Sequence, residues 1–262
     1  MFNVITTLIL VWFIPQLVKM VTMMVPNKKG EEKEVYRLKY IGIGNIAAGD
    51  LALNSAKLEV VEFGHLCRKD LGYIRNAINA ETQAAFDEAD KKLIHYEEVT
   101  DNVEKEIATY LREVSKNEMS IGALARIREL YRVIGEMESL GDSGETIGKI
   151  LSRVWEHKCH FTEHMLQQLN HLLDLLDAAY AAMDHNLSTP LIELTDIHNA
   201  EDAEVAINEY RDALRNEHLT NIEKASYPYE TGSFYMDVVN CIEKMGDFII
   251  NISQSVIAAK EI

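Results

Sequence analysis

Glycine and proline are scarce in this 262-residue chain, at 13 and 4 residues. With hydrophobic residues at 47% and charged residues at 26%, that scarcity favours long helices over sheets. Cysteine is scarcer still. Cys67, Cys159 and Cys241 are widely spaced and form no CxxC pair, which speaks against a disulfide framework or a thiolate zinc site and fits a reducing compartment. There is no G-x-S-x-G, no P-loop, no GxGxxG and no HExxH, so the chain is not expected to be an enzyme. Positive charge is also short. With 26 Lys and Arg against 42 Asp and Glu, the net charge of −16 argues against nucleic acid and suits cations or basic protein surfaces. The length suffices for one large domain or two small ones with a proper core.

What the chain does contain begins with an apolar run, Phe2–Val18, uncharged until Lys19. About 17 such residues rise roughly 26 Å as helix, just short of a hydrocarbon core. Residues 1–26 are therefore read as one transmembrane helix, with a core helix as the alternative. The absence of a basic leader segment and of a small-residue cleavage site argues against a secretory signal. Residues 27–45 follow as a charged juxtamembrane linker. Lys19, Lys28 and Lys29 would place the C-terminal side in the cytoplasm, beneath an inner membrane.

The remainder reads as helix after helix, an all-α architecture of two tandem three-helix bundles over 46–151 and 152–262. In the first half, helices are expected over about Ala47–Ile78, Thr82–Ser115 and from near Ser120 to Val154, each with an apolar stripe at three and four spacing. The second half is expected to run Ser152–Met183, then a break at Asp184–Pro190, then a helix carrying Ile197 to Leu214, and a last helix after Ser226–Gly232.

Two stretches about 105 residues apart share one plan. LYRVIGEMESLGDSGETIGKI holds Glu138, Gly141 and Asp142; YMDVVNCIEKMGDFIINISQS holds Glu243, Gly246 and Asp247. In each, Glu and Asp stand four apart on one helical face, where like charges repel unless something positive lies beside them. Each places between them a helical glycine, which costs roughly 1 kcal/mol relative to alanine and calls for a close-approaching backbone or ion. The second helices echo each other too. Glu97 and Asp101 in one, Glu204 and Asn208 in the other, are polar i, i+4 pairs that packing would turn toward the neighbouring carboxylates.

Carboxylates with an occasional amide make a hard-oxygen donor set. Glu138, Asp142, Glu243 and Asp247, with Asp101 and Asn208, are the candidate metal ligands, and a divalent or trivalent ion such as iron, manganese or zinc is the expected cofactor. His157, His160 and His164 have ligand spacing on one helix face, but without an HExxH-type carboxylate they are read as solvated or core-edge residues. A ferritin-like diiron protein would need Glu-x-x-His pairs, which Glu156, Glu163 and Glu193 do not supply.

The second motif with its approach, SYPYETGSFYMDVVNCIEKMGDFIINIS, resembles the ending of PhoU-like domains, where Glu-Arg-Ile-Gly-Asp-His is followed by Asn-Ile-Ala. INEYRDALRNEHL, Ile207–Leu219, is similar to the preceding helix of PhoU-like domains appended to bacterial sodium/phosphate cotransporters. The N-terminal FNVITTLILVWFIPQLVKMV resembles the last transmembrane helix of such a transporter. The resemblance spans roughly residues 47–260 and implies metal binding at Glu138, Asp142, Glu243 and Asp247, regulation of phosphate uptake, and a transporter membrane domain as partner. Phosphate enters only indirectly, nucleic acid not at all, and self-association is left open. The family's Arg after Glu is here Ser139 or Lys244, and its His after Asp is Ser143 or Phe248. Asn251 is kept where the first half has Thr146, so the second motif is the better kept of the two. The competing function is a metal-free helical interaction module that docks a basic partner on the acidic faces.

Overall fold

The structure is a computed structural model that describes residues 36–42 and 50–260. The apolar run read as a transmembrane helix, and most of the linker over 27–45, lie outside these residues. Among the described residues no helix is long and apolar enough to cross a membrane.

Among the described residues six helices follow one another: α1 Asp50–Ile78, α2 Gln83–Val114, α3 Ile121–Glu156, α4 Glu163–Ser188, α5 His198–Glu223 and α6 Tyr229–Ala258. No strand occurs among the described residues. Three helices start where a hydroxyl residue precedes the apolar stripe. Thr82 accepts from the Ala85 N–H at 3.2 Å, Ser120 from Ala123 at 3.1 Å and Thr162 from Met165 at 3.2 Å, each satisfying an otherwise orphaned donor of the first turn.

The helices pack as two groups of three, α1–α3 and α4–α6, joined where α3 meets α6 and α1 meets α4. Among the described residues α2 touches only α1 and α3, and α5 touches only α4 and α6. Four helices thus surround the shared core, and the two flanking helices carry the polar pairs noted above. Phe63 of α1, Ile134, Met137 and Leu140 of α3, Leu169, Leu172 and Leu173 of α4, and Val238, Ile242 and Met245 of α6 are fully buried or nearly so. Each such side chain contributes about 1.5–3 kcal/mol relative to an exposed one. From Arg37 onward the chain forms one compact unit. Ion pairs bridge the groups on the surface: Arg68 of α1 reaches Asp177 of α4 at 2.9 Å and Asp184 at 3.3 Å, and Arg75 reaches Asp174 at 2.7 Å.

Three expected boundaries move, the last helix starting at Tyr229 inside the turn expected over Ser226–Gly232. The helix expected over Ser152–Met183 is divided, because α3 runs on through Glu156 and α4 begins at Glu163. The stop is a Schellman turn: Cys159 N–H reaches the Val154 carbonyl at 2.9 Å and Lys158 N–H the Trp155 carbonyl at 3.1 Å, with Lys158 at φ 55°. The break expected from Asp184 instead begins after Ser188. Helix persists there because Asn186 is buried and bonded to Ser253 at 3.2 Å and to Asn199 at 3.1 Å. The linker also ends differently from a solvated charge run. Glu59 of α1, fully buried, accepts the N–H groups of Lys39 and Tyr40, both at 2.8 Å, and Ile41 is buried.

Candidate functional site

Both ExxGD motifs lie mid-helix, on α3 and α6, and face the flanking helix of their own group. The glycines are explained by that packing. A Cβ on Gly141 would stand 2.2 Å from Thr100 Oγ1 of α2, and one on Gly246 would stand 3.0 Å from Ile207 Cδ1 of α5. Thr100 and Ile207 are about 107 positions apart, so the same crossing occurs twice. What approaches each glycine is therefore a partner side chain.

In the first half the crossing sets Glu97, Asp101 and Glu104 of α2 against Glu138 and Asp142 of α3. The Glu138 carboxyl is pushed above its ordinary value, first by partial burial and then by Asp142, Asp101, Glu104 and Glu97 in turn. Glu97 is pushed up in the same way, by burial and then by Glu145, Asp142, Asp101 and Glu98. Local cations offset part of this. Lys105 bonds Asp101, one turn along, and Lys149 bonds Glu145. Among the described residues no cation reaches Glu138 or Asp142 in an ion pair. These donors are hard oxygens.

In the second half a cation is already present. Arg211 of α5 donates from Nη1 to Glu243 Oε1 at 2.6 Å, both side chains being largely buried. Burial pushes the Glu243 carboxyl up; Arg211 pulls it back, and Asp247, Asp212 and Glu204 push against it. Asn208 donates to Glu204, leaving its own buried Oδ1 without a hydrogen bond. The better-kept motif is therefore the one that already holds a cation, Arg211, against its Glu. Arg211 shares a face with Glu204 and Asn208 at seven and three spacing, and this was the sequence signal for it.

Asp101 and Asp142 both act on Glu138 at the first crossing, and Asp247 acts on Glu243 at the second, where Asn208 lies on the facing α5 and bonds Glu204. Among the described residues, no three or more His, Cys, Asp or Glu side chains gather closely enough to hold a metal ion. The histidines do not share a helix face, because α3 ends at Glu156. His157 Nδ1 meets Glu230 at 2.5 Å and His164 Nε2 meets Glu217 at 2.9 Å, on different neighbours.

Sequence reasoning missed two further features. Asp70 of α1 is buried, neither carboxylate oxygen has a hydrogen-bond partner, and burial pushes its carboxyl well up. It sits against Gly144, where a Cβ would come within 2.0 Å of Asp70 Oδ2. The second is a polar chain linking α6, α4 and α5: Tyr235 hydroxyl donates to Gln168 at 2.8 Å, and Gln168 donates to Glu217 at 2.8 Å.

No protein-family model and no curated protein matches this chain. Solved structures do resemble it. The phosphate transport system regulatory protein PhoU from Streptococcus pneumoniae is similar at TM-score 0.66 and 18% identity, over 80% of this chain and 95% of that one. PhoU from Pseudomonas aeruginosa is similar at TM-score 0.59 and 15% identity, over 79% of this chain and 94% of that one. The described helices of this chain have a PhoU-like, all-α fold.

Proposed function

We propose that this chain is the PhoU-like regulatory domain of a sodium-dependent phosphate transporter, held at the cytoplasmic face of the inner membrane. The observation that carries the reading is the PhoU-like fold, in which the two acidic faces recur at matching helix crossings. The link to a sodium/phosphate transporter rests on the apolar N-terminal run and the charged stretch after it. No catalytic step belongs to this reading.

Metal binding through the repeated ExxxD motifs is part of it. Glu138, Asp142 and Asp101 would hold the ion in the first half; Glu243, Asp247 and Asn208 would do so in the second only in exchange for Arg211. A bound ion would neutralise the carboxylate cluster and draw α2 and α3 together, a local charge change suited to regulation. The metal-free interaction module gains from one specific observation, the Arg211–Glu243 pair, and is the better reading of the second face.

Phosphate uptake tests the proposal. Cells lacking the chain, and the same cells supplied with it or with its Glu138→Gln/Asp142→Asn variant, are compared in sodium and in potassium medium. The expected result is sodium-dependent uptake that changes several-fold with the chain. Equal uptake in all three strains would remove the regulatory reading.

A further inference from the structure

A pocket of about 350 Å³ opens where the starts of α1 and α3 meet the ends of α4 and α6. No Glu or Asp of the two ExxGD motifs lines it. Leu53, Val60, Leu130, Val133, Leu187 and Val256 line its walls, so its interior is largely apolar. Two cations also line it, Lys57 and Arg126.

Neither cation has a carboxylate partner among the described residues. Half-buried Lys57 donates only to the Thr189 carbonyl, at 3.2 Å, and burial without a counter-charge lowers its pKa. Exposed Arg126 forms no ion pair. The one acid in the wall, Glu129, is already held by Arg128 at 3.1 Å and Arg132 at 3.4 Å. Two cations without carboxylate partners thus stand beside an apolar cavity. A wholly apolar ligand would leave them unpaired, and a small inorganic anion would leave the walls uncovered. Only an amphiphile with one anionic end satisfies both.

We propose that this pocket binds a medium-chain fatty acid, with its acyl chain along Leu53, Leu187 and Val256 and its carboxylate between Lys57 and Arg126. Lys57, set in the wall with its stem against apolar neighbours, fixes the head; Arg126, at the rim, draws it in. The proposal is independent of the transporter reading.

Photolabelling of the full chain in nanodiscs of zwitterionic lipid, with a diazirine-bearing decanoate as probe, tests it. Labelled peptides are mapped by mass spectrometry. The expected label falls on the segments holding Leu53–Val60, Leu187–Leu191 or Val256. Decanoate competes it away, while decanol at the same concentration competes about tenfold less, the discrimination expected of one charge-assisted contact. Lys57→Met reduces labelling by about tenfold on the same basis and Lys57→Arg retains it. Arg126→Gln, at an exposed position, gives a second reduced variant whose fold is not at issue. Labelling elsewhere on the chain, equal competition by decanol, or labelling unchanged in both Lys57→Met and Arg126→Gln would overturn the proposal.

Discussion

Arg211 Nη1 and Glu243 Oε1 lie 2.6 Å apart between α5 and α6, with side chains 24% and 16% exposed. The guanidinium is thus the cation of the second acidic face. Replacing it by Arg211→Met leaves Glu243 with Asp247, Asp212 and Glu204 around it and pushes its carboxyl further up. Loss of a charge-assisted hydrogen bond at a mostly buried site is expected to lower stability by about 1.5–3 kcal/mol. Arg211→Met/Glu243→Gln should recover part of that loss. Urea unfolding of the single and double variants measures it, and strict additivity would show that the pair is not coupled.

The two motif glycines differ in what they face. Gly141→Ala drives a methyl to within 2.2 Å of Thr100 Oγ1, which is buried and bonded to the Glu97 carbonyl at 2.9 Å. The substitution is expected to destabilise by about 1–3 kcal/mol, as overpacking does. Gly246→Ala meets the Ile207 side chain, Cδ1 at 3.0 Å and Cγ2 at 3.4 Å, so the helix-propensity gain of roughly 1 kcal/mol offsets the milder clash. Thermal melting of the two variants, with Thr100→Ala as the rescuing partner of Gly141→Ala, distinguishes them. Equal shifts would contradict the assigned contacts.

Asp70 supplies a pH dependence. Its carboxyl is well above 3.8 in the folded chain, so the folded state holds the proton more tightly than the unfolded one. Its contribution to stability is fully present below the unfolded value and is lost as pH rises toward the folded value. Asp70→Asn removes that loss. The variant is expected to gain on the order of 1–3 kcal/mol at neutral pH and to converge with the parent in acid. Unfolding curves across pH check the sign; a gain largest in acid would refute it.

Lys158 and Ala225 stand at φ 55° and 51° just beyond the ends of α3 and α5, where only glycine avoids a steric cost. At Ala225 the same Schellman bonds recur, Ser226 N–H to the Asn221 carbonyl at 2.9 Å and Ala225 N–H to Ile222 at 3.0 Å. Lys158→Gly and Ala225→Gly should each stabilise by up to about 1 kcal/mol, read from denaturant midpoints. A loss at both positions would mean that side-chain contacts hold these turns.

Those turns also show what the sequence made legible. The apolar stripes placed α2 and α3 within a residue or two, and hydroxyl caps at Thr82 and Ser120 fix their starts. The stop after Glu156 was hidden because it uses lysine where glycine would have signalled a turn. The stretch 184–188 looked like a loop because its polar residues, Asp184 and Asn186, find partners only across the bundle. The repeated ExxGD faces were readable from spacing, as was the opposition of Asp101 to Glu138. Their inequivalence was not, because it depends on which way Arg211 reaches between helices. Asp70 gave no signal, since a lone Asp in a helical stripe reads as surface until Gly144 closes over it.

The account turns on whether the acidic faces take up metal. Elemental mass spectrometry on the full chain, purified without chelator, compares the parent with Glu138→Gln/Asp142→Asn and with Arg211→Gln. The expected result is stoichiometric metal in the parent, lost from the first variant and increased in the second, where the guanidinium no longer occupies Glu243. Metal retained by Glu138→Gln/Asp142→Asn, or absent from all three proteins, would contradict the metal-binding account and leave the acidic faces as docking surfaces.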